Sequence, residues 1–197
     1  MSGKIRRMIY NNIKHDIVQC KSCPLSAELD YGNTPQWGMG SHVAKIFVIN
    51  HRTSLEAHLI EKPIETKCTL LLKKLLDKSG IQESDIFVTN LIKCACKTTP
   101  AKQYKQNMAT CINKWIPNEL LSFPTVKFIL TFGQETGKIL YGKDFELSDD
   151  PIERELGGKK YPTFSTYSLE EIFRKGQVYT DHAVATLRRI KEENDKV

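Results

Sequence analysis

Four short apolar runs along the chain predict the strands of a sheet. They are rich in β-branched and aromatic residues, and polar or glycine-containing segments separate them. The predicted strands cover residues 44–49, 86–89, 126–131 and 161–164. The run at 86–89 lies between polar pairs, which is typical of a strand that is covered on both faces.

Apolar residues at helical spacing predict helices between these strands. The expected helices cover residues 3–18, 66–79, 103–121, 134–141, 169–174 and 181–193, whereas 142–160 is expected to be a mobile excursion. Strands that alternate with helices predict a largely parallel sheet with helices on both faces. The expected fold class is therefore α/β, a three-layer α/β/α arrangement around a mostly parallel four-stranded sheet, in one domain that spans 1–197.

Composition excludes several classes of protein. The 197 residues are 40% hydrophobic and 26% charged, which is typical of a globular protein, and no apolar run approaches the ~20 residues that a membrane-spanning helix needs. The charged amino terminus lacks the apolar core of a signal peptide. We therefore expect an intracellular, non-secreted protein without a membrane partner, in which the six cysteines are metal ligands or core thiols rather than disulfides.

Candidate chemistry collects where predicted strands end. Asn50, His51 and Arg52 follow the first strand and Asn90 follows the second, and ligands of open α/β sheets bind beyond the carboxyl ends of strands. Cysteines form a second candidate site, because the C-x-x-C pair at Cys20 and Cys23 can hold a metal ion or cluster. Further cysteines lie at positions 68, 94, 96 and 111.

The order of these cysteines and the motifs between them resemble the family 4 uracil-DNA glycosylases, which contain an iron–sulfur cluster. Val88 to Cys94 is similar to the family's T-N-x-x-K-C element, and Gly38 and Gly40 are similar to its G-x-G. Lys62-Pro63 matches part of its G-K-P-F segment, and Pro162-Thr163 matches the P-T that precedes its final motif. The resemblance runs from Cys20 to about Ile190.

The resemblance implies a 4Fe–4S cluster with a structural role. Its ligands would be Cys20, Cys23, Cys94 and Cys111. Four thiolates also suit zinc, which remains the alternative metal. Cys96 is a rival to Cys94 as ligand, and Cys68, within an apolar helix, is expected to be a buried thiol.

The chain departs from the family at the positions that carry catalysis. The carboxylate of the family's G-E-A-P-G motif is replaced by His51, and the histidine of its H-P-S motif by Ser165. The aromatic platform for the flipped base is replaced by Ile64. The expected base pocket thus consists of Asn50, Arg52, Ile64, Asn90 and Ser165. Three such losses argue against ordinary uracil excision, since one missing preorganised donor typically costs 10²–10³ in rate.

Basic residues near the cysteines and the expected pocket indicate DNA as the partner. The net charge is +6, and the expected phosphate contacts are Lys93, Lys97, Lys102, Lys159 and Lys160. The alternative is a solvated basic face without a nucleic-acid partner.

Three functions follow from these patterns. The first is a DNA-binding protein that has lost uracil excision and assists replication or repair, with replication or repair proteins as further partners. The second is a glycosylase with altered catalytic groups, in which His51 acts as base or nucleophile on uracil or a modified base. The third is an interaction module that kept the fold without binding DNA.

Overall fold

A computed structural model describes residues 3–26, 34–95 and 101–196 of the chain. The helices are α1 (Gly3–Val18), α2 (Leu55–Leu59), α3 (Thr66–Ser79), α4 (Ala101–Leu121), α5 (Gln134–Tyr141), α6 (Leu169–Lys175) and α7 (Gln177–Asp195). The strands are β1 (Met39–Gly40), β2 (Ile46–Arg52), β3 (Ile86–Ile92), β4 (Phe128–Phe132), β5 (Ile152–Leu156) and β6 (Lys159–Thr166). Within these described ranges, no helix is both long and apolar enough to cross a bilayer.

The strands form one mixed sheet in the order β1-β3-β2-β4-β6-β5. The four central strands are parallel and correspond to the four that the sequence predicts. Two antiparallel strands, β1 and β5, extend the sheet at its edges, so the expected four-stranded sheet is corrected to a six-stranded one in the described part of the chain. The three-layer α/β class is confirmed.

The sequence prediction missed the two edge strands, β1 and β5, for different reasons. β1 has only two residues, too few for any periodic pattern. β5 is mostly exposed, so its sequence IEREL lacks the apolar run of a core strand. It pairs with β6 across the Gly157-Gly158 turn, where both glycines have positive φ. The expected mobile excursion at 142–160 therefore contains a hairpin strand.

Two hydrophobic cores lie on opposite faces of the sheet. On one face, apolar side chains of β2, β3, β4 and β6 pack against α3, α6 and α7. On the other face, the alternate side chains, such as Phe47 and Phe87, pack against α1 and α4. This alternation explains why the central strands read as continuous apolar runs, since both of their faces are covered.

Glycines permit the close approach of β1 to β3. A Cβ atom on Gly38 would lie 2.5 Å from the Val88 carbonyl oxygen, and one on Gly40 would collide with the Ile86 carbonyl oxygen. Gly40 also has a φ of 127°, a conformation that L side chains rarely adopt. The G-x-G of the sequence is thus a requirement of edge-strand pairing.

The predicted helix bounds agree closely with the structure. α1, α3 and α5 match the sequence prediction at both ends, and Gly80 ends α3 in the left-handed conformation. The main differences are that α7 begins at Gln177 instead of residue 181, that α2 was not predicted, and that β3 continues to Ile92 instead of ending at residue 89. Asn90 consequently lies inside a strand and pairs in register with Asn50 of β2.

Candidate functional site

A cleft of about 570 Å³ opens at the carboxyl ends of β2, β4 and β6. The end of β2 supplies its central residues, the start of α5 supplies one side, and Glu65 and the start of α6 supply the other. The lining consists of Asn50, His51, Arg52, Ser54, Glu65, Gly133, Gln134, Glu135, Thr136, Lys138, Ser168, Glu170 and Glu171. The structure therefore brings Asn50, His51 and Arg52 together where the sequence predicts a pocket.

Acidic side chains outnumber basic ones in this cleft. Four glutamates line it, together with Arg52 and Lys138 as the cations. Glu65 forms an ion pair with Lys67 at 2.8 Å, and Glu171 completes a capping box with Ser168 at the start of α6. The cleft is thus a site that repels phosphate groups more strongly than it attracts them.

His51 shares the cleft with the carboxylate of Glu135, which comes from a separate segment of the chain. Burial and the charge of Arg52 lower the pKa of the imidazole below its ordinary value of 6.5, while Glu135 acts in the opposite direction. The environment of His51 therefore favours the neutral form of its imidazole. Sequence reasoning missed Glu135 because it belongs to α5, far from His51 along the chain. Glu135 could have been predicted from its position shortly after Gly133, at the carboxyl end of β4.

Asn90 holds its amide in a fixed orientation below the cleft. Its Nδ2 donates to the Pro63 carbonyl oxygen at 2.5 Å and to Thr53 Oγ1 at 2.9 Å. The Thr53 hydroxyl in turn donates to backbone carbonyl oxygens at the end of β3. Turning the amide over would place its oxygen against the Pro63 carbonyl, so the side chain can offer only its oxygen to a ligand.

Asn50 and Asn90 carry two buried acceptors in adjacent strands. The two residues are 3% and 1% exposed, and within the described residues neither Oδ1 atom has a hydrogen-bond partner. Their side chains lie on the same face of the sheet because the residues are register partners in parallel strands. Buried acceptors without partners are costly, so this position favours a ligand that brings N–H donors.

The structure does not bring Ile64 and Ser165 to the cleft. Ile64 is 3% exposed and packs in the core beneath α3. Ser165 is 2% exposed, and its hydroxyl accepts a hydrogen bond from the backbone N–H of Ser148 at 2.8 Å. The expected base pocket is therefore reduced to Asn50 and Arg52, with Asn90 behind them.

The four predicted cysteine ligands line one narrow cavity. Cys20 and Cys23 approach from the segment after α1, Cys94 from the end of β3, and Cys111 from α4. Apolar side chains close the cavity, among them Leu25, Ile92 and Trp115. Four thiols around one apolar space are a donor set that fits an iron–sulfur cluster.

Zinc remains the alternative to a cluster at this cavity, since both are held by cysteine thiolates. Zinc requires all its sulfur ligands at about 2.3 Å from a common point. Across residues 3–26, 34–95 and 101–196, no three His, Cys, Asp or Glu side chains are arranged to hold one ion. In a cluster each cysteine would bind a different iron, and all four cysteines line this one cavity.

The environments of Cys111 and Cys20 differ. Burial raises the pKa of the Cys111 thiol to about 11, although the charge and the backbone N–H of Lys93 oppose this effect. Burial also acts to raise the pKa of Cys20, but hydrogen bonds from Ser22 and Trp115 and the charge of Lys114 bring it below its ordinary value. The environment of Cys20 therefore favours its thiolate more than the environment of Cys111 does.

The remaining cysteines lie elsewhere. Cys68 lies on the buried face of α3, and burial raises its pKa to about 12, which confirms the expected buried thiol. Cys96, the rival to Cys94, lies outside the described residues.

Lys93 does not contact phosphates, which corrects the sequence prediction. Its side chain is 1% exposed, and its ammonium lies 2.5 Å from Glu119 Oε2 and 2.5 Å from Thr89 Oγ1. Glu119 is fully buried on α4. The lysine of the T-N-x-x-K-C element therefore belongs to an internal ion pair beside the cysteine cavity.

Lys159 and Lys160 also need correction as residues that flank the pocket. Both lie at the amino end of β6, whereas the cleft lies at its carboxyl end, roughly 20 Å away along the strand. Lys159 stacks on the ring of Tyr161. Lys97 and the side chain of Lys102 lie outside the part of the chain that the structure describes.

The fold, the cleft at the strand ends and the sequence over most of the chain agree with one protein family. The family model of the Uracil DNA glycosylase superfamily matches residues 39–191, which include every strand of the sheet and the whole cleft. The chain belongs to the uracil-DNA glycosylase superfamily.

Proposed function

We propose that this protein is a DNA-binding member of the superfamily that holds an extruded base in its cleft, does not excise uracil by the ordinary route, and assists DNA replication or repair. The proposal rests on the locations of the three side chains that occupy the catalytic positions of the family motifs. Only His51 lines the cleft, whereas Ile64 and Ser165 are buried in packing contacts elsewhere.

Each of the three replaced side chains corresponds to a different group that uracil excision requires. Cleavage needs a group that activates water near the sugar, a donor for the anionic base, and a surface on which the base stacks. Ser165 uses its hydroxyl as an acceptor for Ser148, and Ile64 is a core residue. Asn90 has already used its N–H groups within the protein, so it cannot donate to a uracil carbonyl.

The charge of the cleft supports entry of a base rather than of the DNA backbone. Its glutamates repel phosphates, and the described lysines predicted to bind DNA are buried or distant. Arg52 is exposed at the rim, next to the polar floor formed by Asn50. A base swung out of its stack would enter the cleft while its phosphates stay outside, near Arg52 and Lys138.

The cysteine cavity supports a 4Fe–4S cluster, and with it the family 4 subgroup. The supporting observation is the convergence of Cys20, Cys23, Cys94 and Cys111 on one largely apolar cavity. When bound, the cluster would supply structural cross-linking between α4, the end of β3 and the segment after α1.

The proposal is tested by assaying excision and binding on the same oligonucleotides. We expect no release of uracil above the background without enzyme from single- or double-stranded DNA, together with measurable binding at low salt in a gel-shift assay. Robust release of uracil would refute the loss of excision. Undetectable binding at low salt would instead favour the interaction module.

The placement of His51 and Glu135 in one cleft favours a second candidate function, a glycosylase with replacement catalytic groups. Glu135 lies close enough to His51 to act on its pKa, and both line the cleft. An imidazole and a carboxylate that line the same cleft can together activate a water molecule. Release of hypoxanthine or hydroxymethyluracil, lost in both His51→Ala and Glu135→Gln, would establish this alternative, whereas Glu170→Gln serves as a control from the same cleft.

A further inference from the structure

A buried ion pair lies against the cysteine cavity. Lys93 and Glu119 are 1% and 0% exposed, and their charged atoms are 2.5 Å apart. Thr89 links the pair to β3, because it donates to Glu119 Oε1 at 2.8 Å and accepts from the Lys93 ammonium. None of these three residues belongs to the lining of the cleft.

The ion pair joins the two elements that carry buried cysteines. Lys93 precedes Cys94 at the end of β3, and Glu119 belongs to the same helix as Cys111. Lys93 also lines the cysteine cavity, and its backbone N–H forms a hydrogen bond with the Cys111 sulfur. Lys93 thus contacts Cys111 on α4 and directly precedes Cys94, which follows β3.

The pair presents its positive end to the sulfur atoms. The lining of the cysteine cavity includes Lys93 but not Glu119, so the lysine is the member of the pair that borders the sulfur atoms. A cluster held by four thiolates is anionic, and its reduction potential depends on nearby charge and on hydrogen bonds to the sulfurs.

We propose that the Lys93–Glu119 pair is a positioning and charge-balancing element of the four-cysteine site. It holds Cys111 against the end of β3 and places a cation where it stabilises added negative charge on a bound cluster. This inference rests on the proposed iron–sulfur site. Under this inference, Lys93 of the T-N-x-x-K-C element interacts with the cluster and not with DNA.

Single variants at the pair are expected to shift the cluster potential in opposite directions. Lys93→Met removes the cation and should make the midpoint potential of the anaerobically purified protein more negative. Glu119→Gln leaves the cation without its counter-charge and should make the potential more positive. The matched controls are Lys45→Met and Asp85→Asn, which break a more exposed Lys–Asp pair at 3.1 Å and should leave the potential unchanged.

The double variant Lys93→Met/Glu119→Met separates electrostatics from packing. Replacing a buried ion pair by apolar residues is often neutral for stability, so this variant should fold and retain iron. We expect its potential to be more negative than that of the wild type, as in Lys93→Met. A double variant with the wild-type potential, or one that does not fold, overturns the inference while the cluster assignment stands. Wild-type protein that binds no iron overturns both.

Discussion

Asn50 and Asn90 are register partners in neighbouring parallel strands, and the side-chain oxygen of each is buried without a hydrogen-bond partner in the described residues. The amide nitrogen of Asn90 is held by Pro63 and Thr53, which prevents the side chain from turning over. Asn50 lines the cleft and Asn90 lies behind it in the neighbouring strand. We therefore expect an entering base to meet acceptors, whereas recognition of uracil also requires a donor.

The first prediction concerns the choice of base. An exocyclic amino group brings two N–H donors for two oxygens, whereas uracil brings one N–H between two carbonyls. Oligonucleotides with one unpaired cytosine or adenine should therefore bind at least about fivefold more tightly than those with uracil, because an unsatisfied buried acceptor costs about 1–3 kcal/mol. Fluorescence anisotropy on otherwise identical duplexes measures the difference.

The variant Asn50→Leu provides the control for base choice. It removes the acceptor that lines the cleft and should reduce the preference for amino-bearing bases while leaving the fold intact. Equal affinity of the wild type for all bases would contradict the role given to the two asparagines.

The second prediction concerns metal content. Anaerobically purified protein should be brown and contain about four irons per chain, since a 4Fe–4S cluster uses four cysteine ligands. Cys20→Ser and Cys111→Ser should lose iron and unfold at lower temperature, because cluster binding is coupled to folding. Cys68→Ser is the matched control, since this cysteine lies in the opposite core.

The test also separates Cys94 from Cys96. Loss of iron in Cys94→Ser with retention in Cys96→Ser is the expected result. The reverse pattern would reassign the third ligand, and stoichiometric zinc without iron would exclude the cluster.

The third prediction concerns the pH dependence of His51. Its NMR titration midpoint should lie below 6.5, because burial and Arg52 disfavour the protonated ring. Arg52→Gln should raise the midpoint, and Glu135→Gln should lower it further. Since the folded state binds this proton less tightly than the unfolded state, His51 should reduce stability as the pH falls through about 6.5. Denaturation of His51→Gln should show a weaker loss over that range.

The fourth prediction concerns salt-dependent binding. Replacing both Arg52 and Lys138 by Ala should weaken binding to every single-stranded oligonucleotide and reduce the salt slope by about 0.7 per lost phosphate contact. Lys159→Glu with Lys160→Glu should have a much smaller effect, because these lysines lie at the other end of β6. The opposite ranking would move the DNA surface to the β5–β6 hairpin.

The sequence by itself determined the central sheet, most helix bounds and the positions of the cysteines. Continuous apolar runs such as 86–89 identify strands covered on both faces, and the pattern at 66–79 gives α3 from its leucines and lysines. These are local signals, in which a few neighbouring residues are sufficient to fix the conformation.

Only the tertiary structure decided which side chains meet. The sequence predicts Lys93 to be a surface cation, but in the structure it is buried because it forms an ion pair with the buried Glu119 on α4. Glu135 joins His51 because α5 begins next to the end of β2, a proximity that no local pattern encodes. Burial and pairing depend on contacts between distant segments, and sequence periodicity specifies a face of an element without specifying the partner on that face.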